Sequence, residues 1–270
     1  MSLNFTDFDA ITVRLAENDD EIMAAQQLRY NVFYEEHTAK PSEIVKKERR
    51  DFDEYDDHAD HLVVVDHSGP EDRIVGTYRL LQRDGADKVG QFYSSGEYDL
   101  TALLGCGSSL LELGRSCVLP DYRSRPVMQL LWQGIADYVS DNDIEIMFGC
   151  ASFYSTDIES ISSSLSYLYH YHLAPQKFRV RALDDRFVNM NMVPQEDLNA
   201  RRVFAELPPL IKGYLRLGAT IGEGAVIDKE FDTTDVLIIV QTHLVTDRYR
   251  KHYERKNQKA MPRAKTAQNS

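Results

Sequence analysis

Cysteine is scarce in this 270-residue chain, which holds only Cys106, Cys117 and Cys150. Three scattered thiols build no disulfide framework and suit a reducing cytoplasm. No run of 18 apolar residues occurs, so no segment reads as a membrane span. Met1 to Asp20 is acidic and mixed and lacks an apolar stretch after a basic start, so it does not read as a signal peptide. Positive charge is short as well. Lys and Arg number 31 against 43 Asp and Glu, a net charge of −12 at pH 7. That balance argues against general nucleic-acid binding. G-x-S-x-G elbows, P-loops and dinucleotide fingerprints are missing, which removes the commonest hydrolase, nucleotide and hydride-transfer signatures. Internal repeats and low-complexity linkers are absent too.

What remains has the composition of a soluble globular enzyme, 43% hydrophobic and 27% charged. Ile11 to Leu15 predicts a strand. Asp19 or Asp20 can cap a helix to about Glu36, with Ile22, Ala25, Leu28, Val32 and Phe33 on one face. Ala39 to Asp60 reads as a charged loop. His61 to Asp66 and Arg73 to Leu81 read as strands joined through Ser68 to Asp72. After a loop over Gln91 to Glu97, a short helix is expected at Leu100 to Leu104. Leu110 to Val118 is a strand, Val127 to Ser140 a helix, Ile144 to Ala151 a strand and Ile158 to Tyr171 a helix. The pattern then loosens. Phe178 to Leu183 is a weak strand, and Asp184 to Glu206 a loop with helical turns. Leu207 to Leu217 reads as a helix, Val236 to Thr242 as a strand. Mixed elements without a clean boundary favour one α/β domain over residues 1–245, a central mixed twisted sheet flanked by helices. Residues 246–270 read as a basic helix and tail. Eight Lys or Arg between Thr246 and Lys265 face only Asp247 and Glu254. Such a tail on an acidic body suits a lipid surface or an acidic protein; a solvated, fraying helix is the plain alternative.

Chemistry is concentrated in Glu112-Leu113-Gly114-Arg115-Ser116-Cys117-Val118 and the turn that follows. Charge inside an apolar strand is expensive unless it is paired or used. Strand, charged turn and helix is also the layout of a site where an amine attacks a thioester, so the chain reads as an N-acyltransferase. Glu112 and Arg115, three apart on a strand, face opposite sides unless a bulge intervenes, and Gly114 would permit one. Arg29 and Phe33 share a helix face. Asp53 and Asp56 lie in the acidic run from Asp51 to Asp57, and Arg79 sits in an apolar strand. A metal is not expected: the acidic run matches no calcium loop, and His170 and His172 read as packing or surface residues. Cys117 has no evident general base and reads as a small buried hydrophobe.

Taken in order, Arg29, Phe33, Asp53, Asp56, Arg79, Glu112 and Arg115 resemble the acyl-homoserine-lactone synthase pattern. The tryptophan that pattern places after the first Arg/Phe pair is absent, and Trp132 is the only one in the chain. The segment Leu207 to Ala219, with Gly222 to Ala225 and Phe231 to Val236, looks like the L-ornithine Nα-acyltransferase family, formerly labelled hemolysin-like. This resemblance runs from about Arg14 to Val240 and implies a GNAT-type acyltransferase fold. It also implies transfer of a 3-hydroxyacyl chain from acyl carrier protein to the α-amine of L-ornithine. The product would be lyso-ornithine lipid, the first step of ornithine-lipid synthesis. No cofactor is implied beyond the acyl-phosphopantetheine of the carrier.

On that reading Glu112 is the base. Arg29, Phe33, Asp53, Asp56, Arg79 and Arg115 form the substrate site, Asp53 and Asp56 holding the ornithine side chain or bracing the arginines. Cys117, Val118 and Leu119 offer backbone N–H groups to the oxyanion, and Arg123 and Arg125 offer charge to the phosphopantetheine phosphate. The glycine-spaced pyrophosphate loop of coenzyme A enzymes is replaced by Arg123-Ser124-Arg125-Pro126. A cytoplasmic protein, in peripheral contact with anionic membrane through its tail, follows as an expectation. The rivals are another amino acceptor, a signal synthase using S-adenosylmethionine, and a lipid-binding, hemolysin-like protein without activity.

Overall fold

The computed structural model describes residues 10–123 and 125–245, with Arg125 and Pro126 as backbone alone. The expected basic helix and tail lie outside the described residues. In chain order the chain forms β1 (Ile11–Leu15) and α1 (Asp19–Tyr30), which runs on as a π-helical turn over Asn31–Glu36. Then come α2 (Glu43–Glu48), β2 (Asp60–Asp66), β3 (Arg73–Gln82), α3 (Arg83–Val89), β4 (Tyr98–Asp99) and α4 (Thr101–Leu104). β5 (Leu110–Val118), α5 (Arg125–Asp141), β6 (Ile146–Phe153) and α6 (Ser162–His172) follow. The chain continues through β7 (Arg181–Ala182), β8 (Phe187–Val188), α7 (Ala200–Glu206), α8 (Pro209–Leu217), β9 (Thr220–Ile221), β10 (Ala225–Asp228) and β11 (Thr233–Gln241).

α1 is capped by Asn18, whose side chain accepts from the Glu21 amide, rather than by Asp19 or Asp20. Those two acids sit in the first turn, where negative charge meets the helix dipole favourably. Between Ala39 and Asp60, where only a loop was expected, Ser42 caps α2 through the Val45 amide. α3 falls where no element is expected, and it forms although Gly85 in its middle disfavours a helix on propensity.

The contacts divide the chain into two compact units, residues up to Gly90 with Leu113–Asp141, and Gln91–Glu112 with residues from Asn142 on. In the first, β1, β2, β3 and the end of β5 lie side by side. β1 pairs antiparallel with β2, and β2 with β3. α1 covers one sheet face, packing Ala25 on Val63 and Val65. α5 packs on β1 and β2. Helices on both faces explain why Leu62 to Val65 is an unbroken apolar run.

In the second unit the start of β5 pairs parallel with β6, Glu112 opposite Phe148. β6 pairs antiparallel with β11, and β11 with β10 and β9. β8 extends the sheet beyond β10, and β4 pairs with β7 separately. α8 packs on β11 and β6. The result is a mixed sheet flanked by helices, as the pattern of elements predicts. Among the described residues, no helix is long and apolar enough to cross a membrane.

Candidate active site

The first unit gathers Arg29, Asp53, Asp56, Arg79 and Arg115, five of the expected substrate-site residues, and adds Asp51. α1 delivers Arg29, which is fully buried. Its Nη1 and Nη2 donate to the two Asp56 carboxylate oxygens at 2.9 and 2.8 Å, and its Nε lies 2.8 Å from Asp51 Oδ2. β3 delivers Arg79, whose Nη1 donates to Asp53 Oδ1 at 2.5 Å. β5 delivers Arg115, with Nη2 3.1 Å from Asp53 Oδ2 and Nε 3.1 Å from Asp51 Oδ2. The Asp53 amide in turn donates to Asp56 Oδ2. Three guanidiniums and three carboxylates therefore cancel in the interior, which is the condition for burying any of them.

Burial opposes the Asp56 charge, but Arg29, by charge and hydrogen bond, and Arg79 outweigh it and hold the carboxyl at about 2. Burial also opposes the Arg29 charge, and Asp51 and Asp56 outweigh it in the same way. His61 lies beneath, its Nε2–H directed at the Asp56 carbonyl at 3.0 Å. Burial, with the nearby Arg29 and Arg79 charges, keeps its ring neutral. As placed, Asp53 and Asp56 brace arginines. Phe33 packs with Leu28, Val32 and Cys117.

The β5 irregularity falls at Arg115 itself, which adopts a left-handed φ of 50°. Gly114 is not the residue that turns. A left-handed arginine is strained by about 1 kcal/mol, and the bidding of Asp51 and Asp53 for its guanidinium offsets that strain.

Glu112 belongs to the second unit. It is buried, and its Oε2 accepts from the Tyr93 amide at 2.8 Å. Its Oε1 accepts from the Ser94 amide at 2.7 Å and the Ser94 hydroxyl at 2.5 Å. The residue thus caps the 3₁₀ turn Tyr93–Gly96.

The expected acyl and phosphate contacts need correction in part. The Leu119 amide donates to the Val75 carbonyl at 2.9 Å and is not open to an oxyanion. Arg123 spends Nε on the Val118 carbonyl and both terminal nitrogens on Glu36. A phosphate there would compete with Glu36, and as placed the fork ties β5 to the π turn. The Arg125 side chain lies outside the description. Cys117 is buried, and burial pushes its thiol up, which fits a small hydrophobe and not a nucleophile. Val118 is buried beside it.

A second cluster, two buried carboxylates and a half-buried thiol, was not legible in the sequence. Glu97, Cys150 and Asp235 bring a carboxylate, a thiol and a carboxylate within 4.8 Å of one another. Cys150 Sγ donates to Glu97 Oε2 at 3.3 Å, and Thr233 donates to Asp235 at 2.9 Å. Arg186 Nη2 reaches Glu97 Oε1 at 3.2 Å. Burial, then the Asp235 charge, pushes Glu97 up to about 7, and burial raises Asp235 too. Such a set can share protons or bind a cation. Residues 53 and 138 positions apart show no local spacing. The one available signal was Asp235 inside an apolar strand, the same reasoning that singled out Glu112. His170 and His172 join neither cluster: His170 Nε2 meets the Val193 carbonyl and His172 meets Tyr167.

Residues 28–133 match the acetyltransferase (GNAT) domain model. A protein of Rhodobacter capsulatus named L-ornithine N(alpha)-acyltransferase is 46% identical over 247 residues, 90% of this chain and 95% of that one. One of the same name from Brucella abortus is 45% identical over 249 residues, 90% of this chain and 89% of the relative. Among solved structures, a CoA-dependent acyl-homoserine lactone synthase, BjaI, superposes with a TM-score of 0.49 at 15% identity, covering 92% of this chain and 88% of that one. On an identity of 46% across 90% of its length, with the GNAT match over residues 28–133, the chain belongs to the L-ornithine N(alpha)-acyltransferase family and is an acyltransferase.

Proposed function

We propose that the chain moves a 3-hydroxyacyl group from the phosphopantetheine thioester of acyl carrier protein to the α-amine of L-ornithine, giving lyso-ornithine lipid. The observation that carries this reading is the 46% identity to the Rhodobacter capsulatus protein of that name. Glu112, oriented by Tyr93 and Ser94, takes a proton from the α-ammonium directly or through water. The freed amine attacks the thioester carbonyl, the C–N bond forms, and the C–S bond breaks as the carrier thiol leaves with a proton. Positioned proton transfer contributes roughly 10²–10⁴-fold and placement several kcal/mol more. The thioester carries its own activation, so no metal or further cofactor enters these steps.

In this reading the Arg29–Asp51–Asp53–Asp56–Arg79–Arg115 network holds the arginines of the first unit rigid, and Arg79 or Arg115 is the candidate partner for the ornithine carboxylate, by exchange of an Asp53 contact. The reaction takes place in the cytoplasm, with the product passing to the inner membrane face. The test is incubation of the purified protein with 3-hydroxyacyl carrier protein and a panel of amino acids, read by mass spectrometry. Acyl-ornithine is the expected product. Acylation of glycine, lysine or glutamine instead, or acceptance of acyl-coenzyme A but not acyl carrier protein, would overturn the corresponding half of the proposal.

A further inference from the structure

We infer that Ser94, Cys150 and Glu97 form a proton relay that carries away the proton collected by Glu112. This rests on Glu112 being the base of the acyl transfer. The four residues make one unbroken chain within the second unit. Ser94 Oγ lies 2.5 Å from Glu112 Oε1 and 3.6 Å from Cys150 Sγ, and Cys150 Sγ lies 3.3 Å from Glu97 Oε2. Ser94, Glu97 and Glu112 are all buried. Glu112 is braced by Ser94 and the Tyr93 amide. A thiol and a second buried carboxylate are superfluous to that bracing, whereas a path for protons needs both.

The step balances without a redox change. Glu112 passes its proton to Ser94 Oγ as Ser94 passes its own to Cys150 Sγ and Cys150 passes its own to Glu97 Oε2. One O–H bond breaks at Glu112, one forms at Glu97, and Ser94 and Cys150 end as they began. Glu112 returns to the carboxylate, ready for the next ammonium. Arg186, which pairs with Glu97, keeps a third of its side chain exposed, so the Glu97 end is where the proton leaves for water.

The groups facing Glu97 set its readiness. Asp235 and Asp228 favour its protonated form, Arg186 and the Cys150 hydrogen bond its ionised form, and burial adds to the former. The balance leaves it titrating near neutrality, where it can both accept and release. Cys150 is held as a thiol by burial, with the Glu97 charge adding to it, which suits a conduit and not a nucleophile. Tyr98, next in sequence, donates to the Gly224 and Asp235 carbonyls and stays outside the chain.

The test pairs kinetics with a readout that needs no turnover. In the wild-type protein, infrared difference spectra across neutral pH should show the Cys150 S–H band shifting as a buried carboxyl titrates. Glu97→Gln should abolish the shift, Cys150→Ala the band, and Cys106→Ser should change neither. In the acyl-transfer assay, Glu97→Gln and Cys150→Ala should lower kcat at least about tenfold with KM for ornithine unchanged, a part of what positioned proton transfer contributes. Glu97→Gln should also remove the kcat–pH limb near neutrality, and Cys150→Ser should retain most of the rate. An active enzyme whose variants keep the wild-type kcat–pH profile would overturn the relay, as would an S–H band indifferent to pH. Loss of activity on chelation, restored by zinc, would replace the relay with a metal site. Spectral coupling in a protein that acylates no amino acid would sink the acyl-transfer reading and leave the hydrogen-bonded chain standing.

Discussion

Asp56 keeps its charge in a buried site because Arg29 and Arg79 pull harder than burial pushes. Removing one member of a buried ion network leaves its partner uncompensated, so Asp56→Asn should lower stability by about 3–5 kcal/mol, read from urea unfolding at neutral pH. The folded carboxyl titrates at about 2 against an ordinary 3.8, so the unfolded chain takes up the proton first. Its contribution is whole above about pH 4 and disappears as pH falls through about 2. In Asp56→Asn that acid-side loss should be shallower than in the parent. Glu112 has two duties to separate. Glu112→Ala strands the Tyr93 and Ser94 amides, each at about 1–3 kcal/mol where buried. It should also cut turnover at neutral pH by about 10²-fold or more, with recovery as rising pH deprotonates the amine unaided. Rates measured across pH beside urea unfolding distinguish the duties: a destabilised variant with an unchanged rate confines Glu112 to capping. Arg29 was visible as a cation on a helix face, but the identity of its partners was not. Asp51 lies two residues before Asp53 in a run that looks uniformly solvated, and only the fold picks out which of those acids turn inward.

Among the elements, the strands were the easiest to read, because an apolar run bounded by turn residues marks them directly. β5 matches its expected span residue for residue. Helices that break a local rule were lost. α3 carries Gly85 because a Cβ there would sit 2.1 Å from the His58 carbonyl and 2.9 Å from Leu81 Cδ1. On propensity alone Gly→Ala in a helix stabilises by about 1 kcal/mol. Here the carbonyl is backbone and cannot step aside, so Gly85→Ala should destabilise by about 1–3 kcal/mol net, as overpacking does. Thermal or urea unfolding checks the sign, and a stabilised variant would show that the α3 contact with the turn at Asp56–His58 relaxes freely. The π turn after α1 was hidden for a similar reason. Apolar periodicity runs smoothly through Val32 and Phe33, and one extra residue per turn leaves no mark on it.

At the scale of the whole molecule, two buried acid groups pull stability in opposite directions with pH. The Asp56 network is lost in acid. Glu97 binds its proton more tightly folded than unfolded, at about 7 against an ordinary 4.5. Its contribution is therefore whole below about pH 4.5 and is lost as pH rises through about 7. Stability should peak on the acid side of neutrality. Glu97→Gln should gain on the parent by on the order of 2 kcal/mol between pH 5 and pH 8. A difference that stays flat with pH, by urea titration at each pH, would show that Glu97 is solvated in the native state.

The chain alone determined the class of fold, the strand and charged turn of the candidate site, and the family, since all three are written in contiguous stretches such as Glu112 to Arg123 and Leu207 to Ala219. It also marked Arg79, Glu112 and Arg115 as charges set in apolar strands, though not Asp235. Only the tertiary structure decided their partners: that Arg29, Arg79 and Arg115 meet Asp51, Asp53 and Asp56, that Arg123 closes on Glu36, and that Glu97, Cys150 and Asp235 converge. The physical reason is that the cost of burying a charge is a property of one residue and its neighbours in sequence, whereas its compensation comes from residues far along the chain, brought into contact by sheet register and helix packing.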